Sequence, residues 1–228
     1  MKKIVTIEGN IGAGKTTFIK KLNEKFPDTF EIIYEPVDIW INYQIEGQDE
    51  HVAVGLLEQF YQDPLKYGFR FQVAVIISQI EEMIRRIEES TKKYIIMDRC
   101  FLSAFHIFCE ALLDDGKLDA VEYEILFRVM KTFQELLLTN KYEIKKHIYL
   151  CSDPDVCLDR IRSRGRPEEQ GITLDYLRLI HSKHEKWLIE SPVHYKVLTF
   201  YTNTDMYTNP AHFEHMLDMV RDEIVNHI

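Results

Sequence analysis

Apolar residues occur along the chain in two alternating arrangements. Short segments are almost wholly apolar and rich in Val, Ile and Tyr, which is typical of strands buried on both faces of a parallel sheet. Longer segments repeat apolar positions every three or four residues, which predicts amphipathic helices. The predicted strands cover residues 3–7, 31–34, 94–97, 147–151 and 197–201, and the predicted helices include residues 64–90, 103–113, 121–138, 154–163 and 174–190.

The order of these segments, with strands and helices alternating, favours an α/β fold. We expect a central parallel sheet of five strands that is flanked by helices. The chain has 228 residues and shows no internal repeat, low-complexity tract or Pro/Gly-rich linker. We therefore predict one domain over residues 1–228.

Composition and charge narrow the classes of partner. Hydrophobic residues make up 46% of the chain and the formal net charge is −9, without a basic tract. A packed core is therefore expected, and nucleic acid is a poor partner for so acidic a chain. Apolar runs fall short of the roughly 20 residues that span a membrane, so we expect neither a membrane span nor a targeting segment.

The cysteines suggest a cellular compartment. Cys100, Cys109, Cys151 and Cys157 form no C-x-x-C pair and show no zinc-ligand spacing. Reduced thiols in a cytoplasmic protein are the simplest interpretation.

The segment IEGNIGAGKTT, residues 7–17, follows the first predicted strand and opens a helical pattern. Its glycines and the Lys-Thr pair match the spacing G-x-x-x-x-G-K-[ST], in which backbone N–H groups surround phosphate oxygens. The lysine adds positive charge near the β- and γ-phosphates, and the hydroxyl of Thr16 is suited to Mg²⁺. The predicted phosphate loop consists of Gly9, Asn10, Ile11, Gly12, Ala13, Gly14, Lys15, Thr16 and Thr17.

A phosphate loop alone does not separate a GTPase, an ATPase and a small-molecule kinase. The N-K-x-D sequence that normally reads guanine does not occur in the chain. The residues after the other strands must therefore decide between the classes.

Two of those strands are followed by acidic residues. Glu35 comes just after the second strand and Asp98 ends the third, so both are expected at the ligand-binding edge of the sheet. A carboxylate at the place of Glu35 is able to accept a proton from an attacking hydroxyl, although an ordinary loop acid fits the pattern equally well. Asp98 is suited to Mg²⁺ and the following Arg99 to an oxyanion, with a surface ion pair as the alternative.

The segment DRIRSRGRPEEQG predicts a lid over residues 160–171. Arg160 and Arg164 share one face of a helix that Gly165 ends, and Arg166 follows in the loop. Guanidinium groups on a hinged segment are suited to closing over transferring phosphates. A solvated basic helix end is the alternative.

Six segments together resemble the deoxynucleoside kinases, which include deoxycytidine, deoxyguanosine and mitochondrial thymidine kinases and the insect multisubstrate enzyme. The segments are GNIGAGKTT, EPVDIW, LLEQFYQDP, FRFQ, DRCFLSAFHIF and RGRPEEQGI, and the similarity covers nearly the full length. It implies a P-loop kinase fold with an arginine-bearing lid, and ATP-dependent phosphorylation of a deoxynucleoside 5′-hydroxyl with Mg²⁺. It also implies a homodimer joined through long helices.

The resemblance assigns catalytic roles residue by residue. Glu35 matches the general base and Arg99 matches the arginine beside the 5′-hydroxyl. Asp98 stands where most members have Glu and is assigned with Thr16 to the metal. Arg164 and Arg166 match the lid arginines, and Arg160 is placed beside them at ATP.

The resemblance also implies an acceptor site. Tyr61 and Glu169 match the pair that binds the sugar 3′-hydroxyl, Gln72 matches the amide that pairs with the base, and Phe71 matches a stacking aromatic. The full set of expected substrate-binding residues is Trp40, Leu57, Tyr61, Phe71, Gln72, Val75, Gln79, Ala104, Phe108 and Glu169.

Base preference rests on Val75, Gln79 and Ala104. The resemblance places Arg at position 79 and Asp at position 104 in deoxycytidine kinases, whereas this chain has no charge at either position. The insect and mitochondrial thymidine-accepting enzymes also have Ala at the second position, although they usually have Met at the first. We therefore expect pyrimidine deoxynucleosides as substrates, with thymidine preferred.

Two other functions compete with this one. Thymidylate kinase has a similar phosphate loop, but it needs an arginine beside the second-strand acid, where this chain has Tyr34. A non-catalytic nucleotide-binding subunit would be expected to lose the base or the lid arginines, and Glu35, Asp98, Arg99 and Arg164 are all present.

Overall fold

The computed structural model describes residues 2–45, 53–138, 142–190, 196–204 and 209–228. The strands are β1 (Lys2–Glu8), β2 (Phe30–Ile33), β3 (Tyr43–Gln44), β4 (Ala53–Val54), β5 (Tyr94–Asp98), β6 (Tyr142–Cys151) and β7 (Lys196–Tyr201). The helices are α1 (Lys15–Lys25), α2 (Val37–Ile41), α3 (Leu56–Gln62), α4 (Pro64–Glu89), α5 (Phe101–Ser103), α6 (Glu110–Asp114), α7 (Ala120–Leu138), α8 (Pro154–Arg164), α9 (Leu174–Glu185) and α10 (Pro210–His227). Ala104–Cys109 and Lys186–Glu190 are π-helical, and Pro167–Glu169 forms a 3₁₀ turn.

Five strands form one parallel sheet in the order β2-β5-β1-β6-β7. This confirms the predicted α/β fold with five parallel strands. Strand β1 lies at the centre, and its apolar side chains Ile4, Val5 and Ile7 are fully buried. A strand with neighbours on both edges and helices on both faces has no polar side, which explains its continuous apolar sequence.

Alternate residues of β1 pack into two different apolar layers. Ile4 belongs to the larger layer, which includes residues of α4 and α7, whereas Val5 and Ile7 belong to the layer under α1 and α10. Side chains of a strand point alternately to the two faces of its sheet. The result is a sheet between two layers of helices.

The structure extends several of the predicted elements, β6 most of all, and adds others. Strand β6 begins at Tyr142, five residues before the predicted start, and contains Lys146, whose ammonium group pairs with Glu223 of α10. Glu223 lies far from Lys146 along the chain, so the sequence around β6 gives no indication of this ion pair. Helices α3 and α10 were not predicted, although the Asn209 side chain accepts a hydrogen bond from the N–H of His212 and caps α10.

The carboxyl ends of the strands gather the predicted chemistry at one edge of the sheet. Strand β1 runs into the phosphate loop, β2 is followed by Glu35, and β5 ends at Asp98. This is the edge at which open α/β sheets bind ligands. None of the helices within the described ranges is both long enough and apolar enough to cross a lipid bilayer.

Candidate active site

The phosphate loop requires glycine for steric reasons. A Cβ atom on Gly9 would lie 2.6 Å from the carbonyl oxygen of Leu150, and one on Gly12 would lie 2.5 Å from that of Cys157. Any larger residue would therefore displace β6 or α8. The Asn10 Nδ2 donates to the backbone oxygen of Leu177 at 2.9 Å and ties the loop to α9.

Lys15 lies at the centre of the loop. Its Nζ donates to the backbone oxygens of Gly9 and Asn10, each at 3.0 Å. Burial, together with the nearby charge of Arg99, lowers the pKa of Lys15 to about 8. A buried ammonium group in a glycine-rich loop at the start of a helix is a strong site for phosphate.

Thr16 and Asp98 fit a magnesium ion. The Thr16 hydroxyl donates to Asp98 Oδ2 at 2.8 Å. The other carboxylate oxygen, Oδ1, is buried without a hydrogen-bond partner among the described residues. A hydroxyl and a carboxylate with one unused oxygen are the hard ligands that Mg²⁺ prefers.

Glu35 and Arg99 form a buried ion pair beside the loop. Arg99 Nη1 donates to Glu35 Oε2 at 2.9 Å, and its Nη2 donates to the Gly9 oxygen at 3.0 Å. Burial raises the pKa of Glu35, and the Arg99 charge opposes that rise. A carboxylate with a raised pKa is a better proton acceptor, so the geometry and the electrostatics both suit a general base.

Arg99 adopts a backbone conformation that is rare for its residue type. Its φ of 62° lies in the left-handed region. Such a conformation costs about 1–3 kcal/mol and persists where the surrounding structure enforces it. The guanidinium also lies 5.2 Å from the centre of the Phe108 ring, which fixes it further.

A cavity of about 610 Å³ opens from this ion pair. Its aromatic wall includes Phe71, which stacks on Phe60 at 4.6 Å and meets Trp40 edge to face at 5.9 Å. The predicted residues that line the cavity are Ile11, Gly12, Lys15, Thr16, Glu35, Trp40, Leu57, Tyr61, Phe71, Gln72, Val75, Asp98, Arg99, Phe108, Arg164, Arg166 and Glu169. The structure therefore brings together most of the expected acceptor site.

Gln79 and Ala104 are buried but are not among the described residues that line this cavity. Gln79 faces a small neighbouring space next to Glu35 and Asp98, and its Oε1 has no partner among the described residues. The sequence analysis missed eight of the described residues that line the cavity, namely Lys20, Tyr34, Val37, Asp38, Ile41, Phe60, Glu168 and Tyr176. Of these, Phe60 and Tyr176 were missed because each reads as an ordinary core aromatic.

Within the predicted lid, residues 160–171, helix α8 ends and is capped by Gly165, whose φ is 68°. Arg164 Nη2 donates to both carboxylate oxygens of Glu169, at 2.8 and 2.6 Å, and Arg166 Nη1 donates to one of them at 3.3 Å. The predicted sugar-binding Glu169 and the predicted lid arginines are therefore partners of one another.

Arg160 has a different role from that of the other two arginines. Its guanidinium donates to Ser152 Oγ at 3.2 Å and to the Thr202 oxygen at 2.7 Å, which fixes it to the ends of β6 and β7. Asp153 is the N-cap residue of α8, but its side chain makes no capping hydrogen bond.

A second cavity, of about 250 Å³, lies on the other side of the phosphate loop. It is lined by Gly12, Ala13, Gly14, Thr17, Arg160 and Arg164 together with residues that the sequence analysis missed, namely Phe18, Leu150, Tyr201, Thr202, Thr204, Asn209, His212, Phe213 and Met216. Its contact with the loop suits the nucleoside part of a phosphate donor. Most of the missed residues lie in the segment that follows β7. Their position after a strand end, at the ligand-binding edge of the sheet, was the sequence signal that could have identified them.

Both cavities contact the phosphate loop. The Glu35 carboxylate lines the larger one, and Arg164 lines both. The fold and site define a phosphate-loop kinase. The sequence model of the deoxynucleoside kinases matches residues 5–226. The chain belongs to the deoxynucleoside kinase family.

Individual relatives agree with that assignment. The probable deoxycytidine kinase of fowlpox virus (strain NVSL) is 34% identical over 204 residues, which covers 89% of this chain and 79% of the viral one. Human deoxycytidine kinase is 33% identical over 199 residues, 82% of this chain and 75% of that one. Human mitochondrial thymidine kinase 2 is 32% identical over 189 residues, 83% of this chain and 65% of that one.

Proposed function

We propose that the protein transfers the γ-phosphoryl group of ATP to the 5′-hydroxyl of pyrimidine deoxynucleosides, with thymidine as the preferred acceptor. The observation that carries this proposal is the Glu35 carboxylate, which Arg99 fixes between the phosphate loop and the aromatic cavity. A hydroxyl bound in the cavity meets the base and the phosphate site together.

The chain's own groups account for the transfer. Glu35 accepts the proton of the 5′-hydroxyl while the oxygen attacks the γ-phosphorus, and the bond to the β-phosphate oxygen breaks. Lys15 and the loop N–H groups bind the phosphate oxygens, and positive charge placed there stabilises the transition state. Magnesium, when bound at Thr16 and Asp98, neutralises charge on the β- and γ-phosphates.

The lid arginines complete the site by changing partners. Arg164 lies at both cavities, and with Arg166 it is now paired with Glu169. When a donor is bound, these two guanidiniums turn towards the transferring group. Glu169 is then released to accept the sugar 3′-hydroxyl beside Tyr61.

The base site supports a neutral pyrimidine edge. Gln72 is 2% exposed and carries donor and acceptor groups side by side, as a pyrimidine requires. Val75 offers an apolar surface to a 5-methyl group, a contact worth about 1–3 kcal/mol. The uncharged Gln79 and Ala104 lack the ion pair that the resemblance places near the amino group of cytosine in deoxycytidine kinases. Several relatives are named deoxycytidine kinases and one is a thymidine kinase, so the relatives alone leave the base open.

The test is a comparison of kcat/KM for the four natural deoxynucleosides, with ATP and Mg²⁺. We expect thymidine first, deoxycytidine second and purines last. A preference for purines would overturn the proposal, and a preference for deoxycytidine would overturn the thymidine assignment.

A double variant tests the pocket itself. Gln79→Arg with Ala104→Asp introduces a charged pair behind the base, which should suppress thymidine use and retain deoxycytidine use. Unchanged thymidine activity in a folded double variant would show that these positions do not set the preference.

Thymidylate kinase is the function nearest to this one. Its acceptor carries a phosphate, which Glu35 and Asp98 would repel in this cavity. Release of ADP should therefore rise when thymidine is added and not when thymidylate is added.

We also propose a homodimer. Helix α7 exposes Val121, Ile125 and Leu136 on one face, with 67%, 43% and 67% of each side chain exposed. Helix α4, which packs against α7, exposes Ile77. Exposed apolar side chains that repeat on neighbouring helices are typical of an interface. Light scattering should give a dimer for the protein and a monomer for Ile125→Glu combined with Leu136→Glu.

The cysteines support a cytoplasmic location as a further part of this proposal. All four are free thiols in the structure, and each is buried. Thiols stay reduced in the cytoplasm. Detection of the protein in a fractionated cell extract would test this.

A further inference from the structure

A group of three side chains lies apart from the residues of phosphoryl transfer. Cys151 is the last residue of β6, and His181 and Glu185 lie one turn apart on the same face of α9. The Cys151 Sγ is 3.7 Å from Glu185 Oε1, and His181 Nε2 is 3.9 Å from the same oxygen. One ligand atom of each residue lies within 4.8 Å of those of the other two.

These distances are close to those of a tetrahedral metal site. Bonds of about 2.3 Å from zinc to sulfur and about 2.0–2.1 Å to nitrogen or oxygen place neighbouring ligand atoms roughly 3.3–3.6 Å apart. Two of the three separations are within a few tenths of an ångström of that range. Small side-chain rotations would close the third.

The surroundings orient the ligands and leave a path to solvent. The Tyr149 hydroxyl donates to Glu185 Oε1 at 2.8 Å, an outer hydrogen bond of the kind that fixes metal-binding carboxylates. The Nδ1 of His181 is buried without a hydrogen-bond partner among the described residues. Cys151 is buried, whereas about a quarter of the His181 side chain and a third of the Glu185 side chain are exposed, at 26% and 33%.

We propose that Cys151, His181 and Glu185 bind a zinc-type divalent cation, with water as the fourth ligand. The sulfur and imidazole ligands select a softer ion than the oxygens of Thr16 and Asp98 do, so the two sites take different metals. Cys151 binds as the thiolate and its proton passes to solvent.

The position gives the ion a structural role beside the donor cavity. The backbone oxygen of Cys151 accepts from the N–H of Thr202 at 2.8 Å, and Thr202 lines that cavity. The other ligands lie on α9, where the backbone oxygen of Leu177 accepts a hydrogen bond from Asn10 of the phosphate loop. A metal that joins β6 to α9 therefore braces two supports of the nucleotide site.

The experiment uses the full chain after treatment with a chelator. Zinc is titrated in competition with a chromophoric chelator, and Co²⁺ is used as a spectroscopic probe. The variants are Cys151→Ser and His181→Gln, and the matched control is His215→Gln, because His215 is exposed on α10. Thermal unfolding of each metal-free protein establishes that it is folded.

We expect one zinc ion per chain and, with Co²⁺, a sulfur-to-cobalt charge-transfer band that Cys151→Ser removes. Each ligand variant should weaken zinc binding by more than the roughly 10–100-fold that loss of an outer partner costs, and His215→Gln should leave it unchanged. Zinc should raise the unfolding temperature of the parent and of the control but not of the two variants.

Absence of stoichiometric binding, or binding that both ligand variants retain, would overturn the proposal. If Cys151→Ser fails to fold, His181→Gln decides by itself, because His181 is partly exposed and tolerates substitution more easily.

Discussion

The active site contains two arginine–glutamate pairings that differ in their exposure to water. Arg99 and Glu35 are 2.9 Å apart with side chains 7% and 17% exposed. Arg164 approaches Glu169 even more closely, at 2.6 Å, with side chains 38% and 9% exposed. The two pairs therefore differ in the arginine: water reaches and screens the Arg164 guanidinium, whereas the Arg99 guanidinium is buried and costly to separate from its partner.

The difference separates what is fixed from what moves. The Arg99–Glu35 pair lies after the ends of two sheet strands and keeps the Glu35 carboxylate in place before any substrate arrives. The pairs of Arg164 and Arg166 with Glu169 have exposed arginines that water screens, which suits the proposed exchange of the carboxylate for a phosphoryl group.

The largest effect is expected at the buried base. Glu35→Gln keeps the shape of the side chain and removes its basicity, so kcat should fall by about 10²–10⁴-fold. Thymidine affinity, measured directly by calorimetry, should change little. Near-normal turnover in this variant would rule out Glu35 as the base.

The next largest effect is expected on stability, which should differ between variants of the two ion pairs. Arg99→Met leaves the Glu35 carboxyl buried without its partner and should lower the free energy of unfolding by about 3–5 kcal/mol. Arg164→Ala should cost less than about 1 kcal/mol. Urea unfolding of both variants measures this.

A double-mutant cycle refines that result. Glu35→Gln combined with Arg99→Met should recover part of the loss, because no unpaired charge then remains. Equal losses from Arg99→Met and Arg164→Ala would contradict the distinction between a buried and a screened pair.

The lid should act on the transition state more than on binding. Arg164→Ala removes positive charge near the transferring group and should lower kcat by about 10²–10³-fold, with a much smaller change in the KM for ATP. Arg162→Ala is the matched control, since Arg162 is exposed on the same helix and is not among the described residues that line either cavity. A change confined to KM would make Arg164 a binding residue only.

The smallest effect is a shift in pH dependence. Burial raises the pKa of Glu35, so activity should fall as the pH drops through a value above that of an ordinary carboxyl. The Arg99 charge lowers the same pKa, so in Arg99→Met the acid limb of kcat/KM should move to higher pH. An acid limb at the same pH in both proteins would show that it reports another group.

The sequence predicted the sheet well because its strands are continuous apolar segments with no competing pattern. It did not predict the first half of β6, where Glu143, Lys145 and Lys146 interrupt the apolar residues. Those charges are tolerated through partners that only the folded chain supplies, such as Glu223 for Lys146. The start of helix α10 could have been predicted from Asn209 at the N-cap and Pro210 in the first turn, but the sequence analysis missed it.

At the site, the motif residues came together as expected because short motifs fix local geometry. The hydrogen-bond partners of Arg160 could not be predicted from the sequence, since Ser152 and Thr202 follow the ends of different strands. The pairing of Glu169 with the lid arginines was likewise hidden, because sequence spacing does not give side-chain direction. The positions of Gln79 and Ala104 behind the cavity wall depend on how α4 packs, which no motif encodes.

The central place of β1 has a consequence for how the chain is made. Ile4 lies opposite Ile95 on β5 and opposite Ile144 on β6, so both neighbours of the first strand arrive much later in synthesis. Contacts between such distant residues form slowly, because a long loop must close before they contribute. The phosphate loop thus leaves the ribosome before both strands that flank β1, and the second of these is complete only when Cys151 has been added. A nascent chain should therefore gain affinity for nucleotide abruptly and late, when β6 completes the sheet.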